Sequence, residues 1–168
     1  MDRLVIREAK AQDAEKIIDY LNMVGGESDN LMHGKDEFQV PAERVRDHLI
    51  SAERSDNSLI LVGTLGDEII ACASLEGYPN RRVKHRAKLS ISVRKEHWNQ
   101  GIGTAMMDEI IARAREMGIK VIELEVLAGN AGAIALYHKM GFWDLGVYEN
   151  FWFVNNRYED AILMCLGL

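Results

Sequence analysis

The residues Asn99-Gln100-Gly101-Ile102-Gly103-Thr104 stand between an alternating apolar segment and a long amphipathic one. Two glycines flanking one residue let the backbone come close to a ligand. The first N–H groups of a helix have no internal partner, and the helix dipole favours anions there. Such a turn can hold a phosphate or diphosphate, and Arg94 and Lys95 could add charge. The same residues also suit a tight strand-to-helix turn with no ligand. No Gly-Lys-Ser/Thr follows, so this is not a nucleotide P-loop. The third glycine of a dinucleotide fingerprint would fall at Met106, which argues against that fold.

A second chemical segment runs from Asn130 to Phe142. Asn130 can cap a helix, and Tyr137 near the helix end presents a phenol, either as a proton donor or as a core-edge tyrosine. Carboxylates are the remaining acid–base candidates. Glu123 and Glu125 share one face of an apolar strand, where they could act as bases or pair with Lys88 across strands. Glu27, Asp29, Asp36 and Glu37 lie in a polar stretch, where they could attract a cationic amine or form a solvated acidic loop. The basic run Arg81–Lys88 could meet nucleic acid or form a solvated hairpin tip; it lies too far from the glycine turn to reach a phosphate held there. Five histidines (33, 48, 85, 97 and 138) are scattered without metal-ligand spacing.

These groups need elements to position them. Leu4–Arg7 reads as a strand, Ala14–Met23 as a helix capped by Asp13, and Ala42–Glu53 as a helix with Pro41 in its first turn. Leu59–Leu65 and Glu68–Glu76 form a hairpin about Gly66-Asp67. In Ala87–Val93, Leu89, Ile91 and Val93 take one face and Lys88, Ser90 and Ser92 the other. Ile102–Met117 is the strongest helix, with Met106, Ile110 and Ala114 in its apolar stripe and Gly118 as its stop. Val121–Leu127 is a strand and Ala131–Met140 a short helix. Phe142–Tyr148 and Tyr158–Leu166 are the last strands, joined through Asn155-Asn156. The strand–helix–strand unit from Ala87 to Leu127 requires a parallel pair with a right-handed crossover. The whole is a mixed α/β sheet with helices on both faces.

The bulk composition fits one domain over residues 1–168. Its 48% apolar and 27% charged residues are ordinary for a soluble globular chain, and the length suits one substantial core. A formal net charge of −6 argues against a nucleic-acid partner. No apolar stretch approaches the ~20 residues of a membrane helix, and the N-terminus lacks a signal region. Cys72 and Cys165 are too far apart for a CxxC site. A cytoplasmic location is the expectation.

Taken in order, the two chemical segments resemble the GNAT superfamily of N-acetyltransferases. Trp98-Asn99-Gln100-Gly101-Ile102-Gly103 is similar to that family's (Arg/Gln)-x-x-Gly-x-(Gly/Ala) motif. Asn130, Ala133, Leu136, Tyr137, Gly141 and Phe142 match its Asn-x-x-Ala-x-x-Leu-Tyr-x-x-x-Gly-Phe motif. The likeness extends to Ile6-Arg7-x-Ala9, Asp13-Ala14, and Asp160 with Met164 in the last strand. It implies a mostly antiparallel sheet with a central splayed parallel strand pair. It also implies acetyl-CoA as co-substrate and a primary amine as acceptor. By this resemblance the backbone of Ile91, Ser92 and Val93 pairs with the pantetheine arm of coenzyme A. Asn99, Gln100, Gly101, Ile102, Gly103 and Thr104 hold the diphosphate. Asn130 lies beside the cofactor, and Tyr137 sits near the sulfur as the catalytic proton donor. Trp98 departs from the family pattern, so the grip falls to backbone amides. No glutamate occupies Ala87–Val93, where several family members carry their base; Glu27, Glu123, Glu125 or a water chain would replace it. A non-catalytic domain that senses coenzyme A or binds protein is the alternative. The aromatic stretch Phe142–Phe153 could form a homodimer edge or close a hydrophobic cluster beneath the last loop.

Overall fold

The fold was taken from a computed structural model that describes residues 3–168. Strands β1 (Leu4–Glu8), β2 (Leu59–Leu65), β3 (Glu68–Gly77), β4 (Arg86–Val93), β5 (Val121–Leu127), β6 (Trp143–Val154) and β7 (Arg157–Gly167) form one sheet in the order β1-β2-β3-β4-β5-β7-β6. Helices α1 (Ala14–Gly25) and α2 (Ala42–Arg54) follow β1; α3 (Ile102–Glu116) and α4 (Ala131–Lys139) flank β5. Every neighbouring pair is antiparallel except β4–β5. The element order and the mixed sheet agree with the sequence reading.

The period-two pattern of the strands separates two cores. On one face α3 buries Met106, Met107, Ile110 and Ala114 completely, against Leu61, Leu75, Leu89 and Ile122. On the other, Ile17 and Tyr20 of α1 and Val45 and Leu49 of α2 pack on Val62. Truncating one fully buried residue such as Ile110 to Ala costs about 2–5 kcal/mol, so the α3 layer fixes where its N-terminus points.

The β4–β5 pair decides the site. Its register covers only Arg86–Lys88 against Val121–Glu123. Both strands then continue, β4 to Val93 and β5 to Leu127, without facing each other. Backbone groups alternate edges along a strand. Arg86 O accepts from Tyr78 N (3.3 Å) and Arg94 N donates to Ile70 O (2.9 Å), so even-numbered residues of β4 face β3. His85 O accepts from Lys120 N (2.8 Å), so odd-numbered residues face β5. The backbones of Leu89, Ile91 and Val93 therefore open into a wedge with no strand partner.

Three local expectations change. Asp13 does stand at the N-cap of α1, but its side chain makes no cap bond. Its carboxylate instead takes both Arg7 nitrogens (2.7 and 2.9 Å) and Lys10 N (2.8 Å). Arg7, with burial opposing, holds the Asp13 carboxyl below its usual range. Pro41 is the residue before α2 rather than part of its first turn. β6 runs on to Val154 instead of stopping at Tyr148, because it absorbs an irregularity between Tyr148 and Trp152, with Asn150 at φ 55°, and stays paired to β7. A bulge inserts residues without ending a ladder, so no turn signal marks it.

Candidate functional site

A cavity of about 910 Å³ opens between the splayed strands. Its walls come from β4 and β5, the turn before α3, α4 along its length, the end of α1 and the loop after it, and Trp152 of β6.

The turn is built by backbone conformation. Asn99 (φ 59°) and Gly101 (φ 80°) are both left-handed, and Gly101 is the N-cap of α3. The first helical bond runs from Ala105 N to Gly101 O (3.0 Å), which leaves the N–H groups of Ile102, Gly103 and Thr104 without a helical partner. Nothing would meet a Cβ on Gly101, so its requirement is conformational. A Cβ on Gly103 would lie 3.2 Å from Leu136 Cδ2, so that glycine also lets α4 pack close. Trp98 finds its own use: its indole N–H donates to Val93 O (2.8 Å), closing the end of β4. Gln100 Nε2 donates to Glu96 O (2.8 Å), bracing the turn.

Of the residues expected to hold coenzyme A, Ile91, Ser92, Val93, Asn99, Gly101, Gly103, Thr104, Asn130 and Tyr137 all line this cavity. Gln100 and Ile102 do not contribute to its walls; the Gln100 side chain is bound to the turn and Ile102 is buried in the core. The backbone of Ser92 faces β3, opposite Cys72. Its hydroxyl instead lies 3.0 Å from the hydroxyl of Tyr20. Arg94 does not face the phosphate turn as free charge: it is ion-paired to Glu27 (2.8 Å), Glu68 (2.9 Å) and Glu96 (2.9 Å).

Asn130 caps α4, its side chain accepting from Ala133 N (3.3 Å). That helix carries Tyr137, only 7% exposed, tilted against Phe142 with ring centres 5.6 Å apart. Burial pushes the Tyr137 phenol up to about 12. Tyr137 is also one of the residues that line the cavity. At neutral pH the group is protonated and can donate.

The other wall is a polar sheet face. Ser74 and Ser90 hydroxyls are 2.7 Å apart, and Lys88 Nζ lies 2.8 Å from Glu125 Oε2. The three glutamates differ in freedom. Glu123 accepts from Tyr78 at one oxygen and Arg86 at the other. Glu27 accepts from Arg94 Nε at Oε1 (2.8 Å) and Lys95 N at Oε2 (2.7 Å). Among the described residues Glu125 is paired only through Oε2, to Lys88, and it lines the cavity. The pairing with Lys88 anticipated for this face holds for Glu125, while Glu123 takes Arg86 instead. Arg86 and Lys88 are thus neutralised, and the rest of the basic run forms the exposed β3–β4 turn. Among the described residues, no group of three or more His, Cys, Asp or Glu side chains could hold a metal.

Sequence reasoning missed Trp152, Lys88 and the loop residues Leu31, Met32 and His33 as cavity walls. Period-two alternation on β4 could have found Lys88; no local signal marked the others.

Residues 28–142 match the Acetyltransferase (GNAT) family, and the chain belongs to it. It is 36% identical over 79 residues to the ribosomal protein bS18 alanine N-acetyltransferase of Escherichia coli strain K12, covering 47% of this chain and 53% of that one. The chain thus spans about half the length of the curated relatives it matches first. Over 98% of both chains it is 28% identical to the L-amino acid N-acetyltransferase AaaT of the same strain. A solved GNAT-family acetyltransferase from Streptococcus pneumoniae superimposes with a TM-score of 0.96 at 30% identity, covering 99% of this chain and 100% of that one. No helix among the described residues is long and apolar enough to cross a membrane.

Proposed function

We propose that residues 1–168 form one N-acetyltransferase domain that moves the acetyl group of acetyl-CoA onto a primary amine by direct attack. The observation that carries this is the wedge, where three matched positions of β4–β5 give way to unpartnered backbone groups. The Ile91 backbone and the Val93 N–H suit the amides of a pantetheine arm; the Val93 carbonyl is taken by Trp98. The turn N–H groups at the N-terminus of α3 suit a diphosphate, and Asn130 and Ser92 border the bound donor.

The chemistry follows from the groups available. A neutral amine attacks the thioester carbon, and a backbone N–H in the wedge polarises the carbonyl. The C–S bond breaks and the thiolate takes a proton from the Tyr137 hydroxyl. Glu125, with one oxygen free of partners among the described residues, accepts the amine proton directly or through water. Glu27 and Glu123 are fully engaged and unsuited to this role.

Coenzyme A release measured over a panel of free L-amino acids, polyamines and alanine-initiated peptides tests the reading and identifies the acceptor. Tyr137→Phe should slow turnover with acetyl-CoA binding intact. Failure of the protein to bind acetyl-CoA at high micromolar concentration overturns the proposal. Two free cysteines and a metabolic thioester donor support a cytoplasmic setting. The acidic chain, with Arg86 and Lys88 already paired, favours no nucleic-acid partner. Trp143, Leu145 and Val147 are exposed along the edge strand β6, which supports a homodimer joined there.

A further inference from the structure

Glu27 opens the loop between α1 and α2, and the cavity-lining residues Ser28, Leu31 and His33 follow it directly. Two bonds tie this glutamate to consecutive residues beyond the end of β4: Arg94 Nε donates to Oε1 at 2.8 Å and Lys95 N to Oε2 at 2.7 Å. Lys95 begins the short 3-10 turn that leads to Trp98 and the glycine turn. One carboxylate therefore spans from this cavity-lining loop, which by the family resemblance borders the acceptor, to the segment carrying the phosphate turn.

The tie is not an ordinary surface pair. The Arg94 side chain is 12% exposed and that of Glu27 20%. Arg94 is also anchored through its backbone, Arg94 N donating to Ile70 O at 2.9 Å. Its other carboxylate partners, Glu68 and Glu96, are 60% and 58% exposed, and neither belongs to the loop. Elsewhere the loop is held to α1, through Asn22 with Phe38 and His33 with Leu21 O, or to the exposed β6–β7 turn through Asp29 and Asn155. None of those contacts reaches the donor side.

On the N-acetyltransferase reading, we infer that Glu27 is a positioning residue: it clamps the acceptor loop to the base of the phosphate turn and so sets acceptor affinity. Both its oxygens are engaged, so it takes no proton from the amine. With the clamp made, residues 28–33 are presented to the cavity in one arrangement. With it broken, the loop must be ordered at the acceptor's expense.

Glu27→Gln tests this, with Glu68→Gln as control, because the control removes a carboxylate from Arg94 without touching the loop. Acceptor KM, taken with the best amine of the panel, should rise about tenfold in Glu27→Gln, with kcat and the acetyl-CoA dissociation constant each within about threefold of wild type. Trypsin cleavage after the exposed loop residue Lys35, followed by mass spectrometry, should speed up several-fold in the same variant. Glu68→Gln should match wild type in both measurements. An unchanged KM and cleavage rate, a fall in kcat at constant KM, or equal effects in the two variants would each overturn the inference. Should the wild type show no acetyl transfer, the N-acetyltransferase reading fails on its own; the Lys35 cleavage rates still decide whether the clamp exists.

Discussion

At the donor end of the cleft, Gly101, Ile102, Gly103 and Thr104 offer main-chain N–H groups, and Ile91 and Val93 offer main-chain edges. At the acceptor end, Lys88, Ser90, Glu125 and Trp152 offer side chains from three strands, under a loop held by Glu27. On the proposed reading the donor end depends on backbone shape, with Trp98 standing where the family pattern has Arg or Gln. The acceptor end depends on particular side chains that must find one another over long sequence distances. Substitutions at the two ends should therefore fail differently: donor-end changes through acetyl-CoA affinity, acceptor-end changes through turnover or acceptor KM.

The largest effect should come from Glu125→Gln. Losing a general base typically costs 10²–10⁴-fold, and that loss is expected in kcat, with acetyl-CoA affinity unchanged by calorimetry. Glu123→Gln, on the same face but bound to Tyr78 and Arg86, should lose less than about threefold. Equal losses in the two variants would mean that the face acts only through its charge.

Two buried tyrosines extend the contrast to stability. Tyr137 of the donor side is pushed up to about 12 by burial, and Tyr20, under the acceptor side, is also raised chiefly by burial. An unfolded tyrosine loses its proton near pH 10. Between that pH and the folded value the native state binds more protons, so stability falls as pH rises. Each pKa unit corresponds to about 1.4 kcal/mol, giving a loss of about 2–3 kcal/mol from Tyr137 by pH 12. Tyr137→Phe should flatten the alkaline limb of a urea-denaturation series. Tyr20→Phe should flatten it too, but it should also lower stability by about 1 kcal/mol at pH 7, because the Ser92 hydroxyl bond is lost. A Tyr137→Phe variant as alkali-sensitive as the wild type would show that its phenol is not buried in solution.

Donor-end legibility has a physical cause. Asn99–Thr104 and Asn130–Phe142 are each one continuous stretch of chain, so the two together, in order, carry the family resemblance. From the strand pattern alone the wedge was legible only as a parallel pair, and its splay was expected from the family resemblance: where β4 and β5 part is set by packing of whole elements, not by any residue in Ala87–Val93. The acceptor end was least legible. Arg94 meets Glu27 across 67 positions and Asn155 meets Asp29 across 126, and no local pattern encodes such meetings. For the same reason the Glu27 carboxylate could be suspected as a base, yet its engagement by Arg94 and Lys95 N could not be read from the chain.

A smaller effect separates the two glycines of the turn. Gly101 sits at φ 80° with open space around its missing Cβ, so Gly101→Ala adds only conformational strain, about 1–2 kcal/mol. That is roughly tenfold in acetyl-CoA affinity if the turn relaxes out of shape, with acceptor KM unmoved. Gly103 is helical, and its Cβ would press on the end of a leucine side chain that can yield by a few tenths of an ångström. Helix propensity gains up to about 1 kcal/mol in Gly103→Ala, so that variant should bind acetyl-CoA within threefold of wild type. Calorimetric titration of the pair distinguishes a backbone-shaped grip from one limited by space.

The smallest effect lies at Trp152, whose indole N–H is buried without a hydrogen-bond partner beside the acceptor end. An unpaired buried donor costs about 1–3 kcal/mol of desolvation. Trp152→Phe removes the donor and keeps most of an aromatic surface that packs against Phe151 at 4.6 Å between ring centres. The smaller ring gives up some packing, which offsets part of the gain. The net expectation is a protein between equal stability and about 1 kcal/mol more stable, read from urea midpoints at constant m-value. A loss beyond about 1 kcal/mol would mean that the indole N–H has a partner in solution, such as a bound water. The acceptor end would then contain an ordered polar contact absent from the donor end.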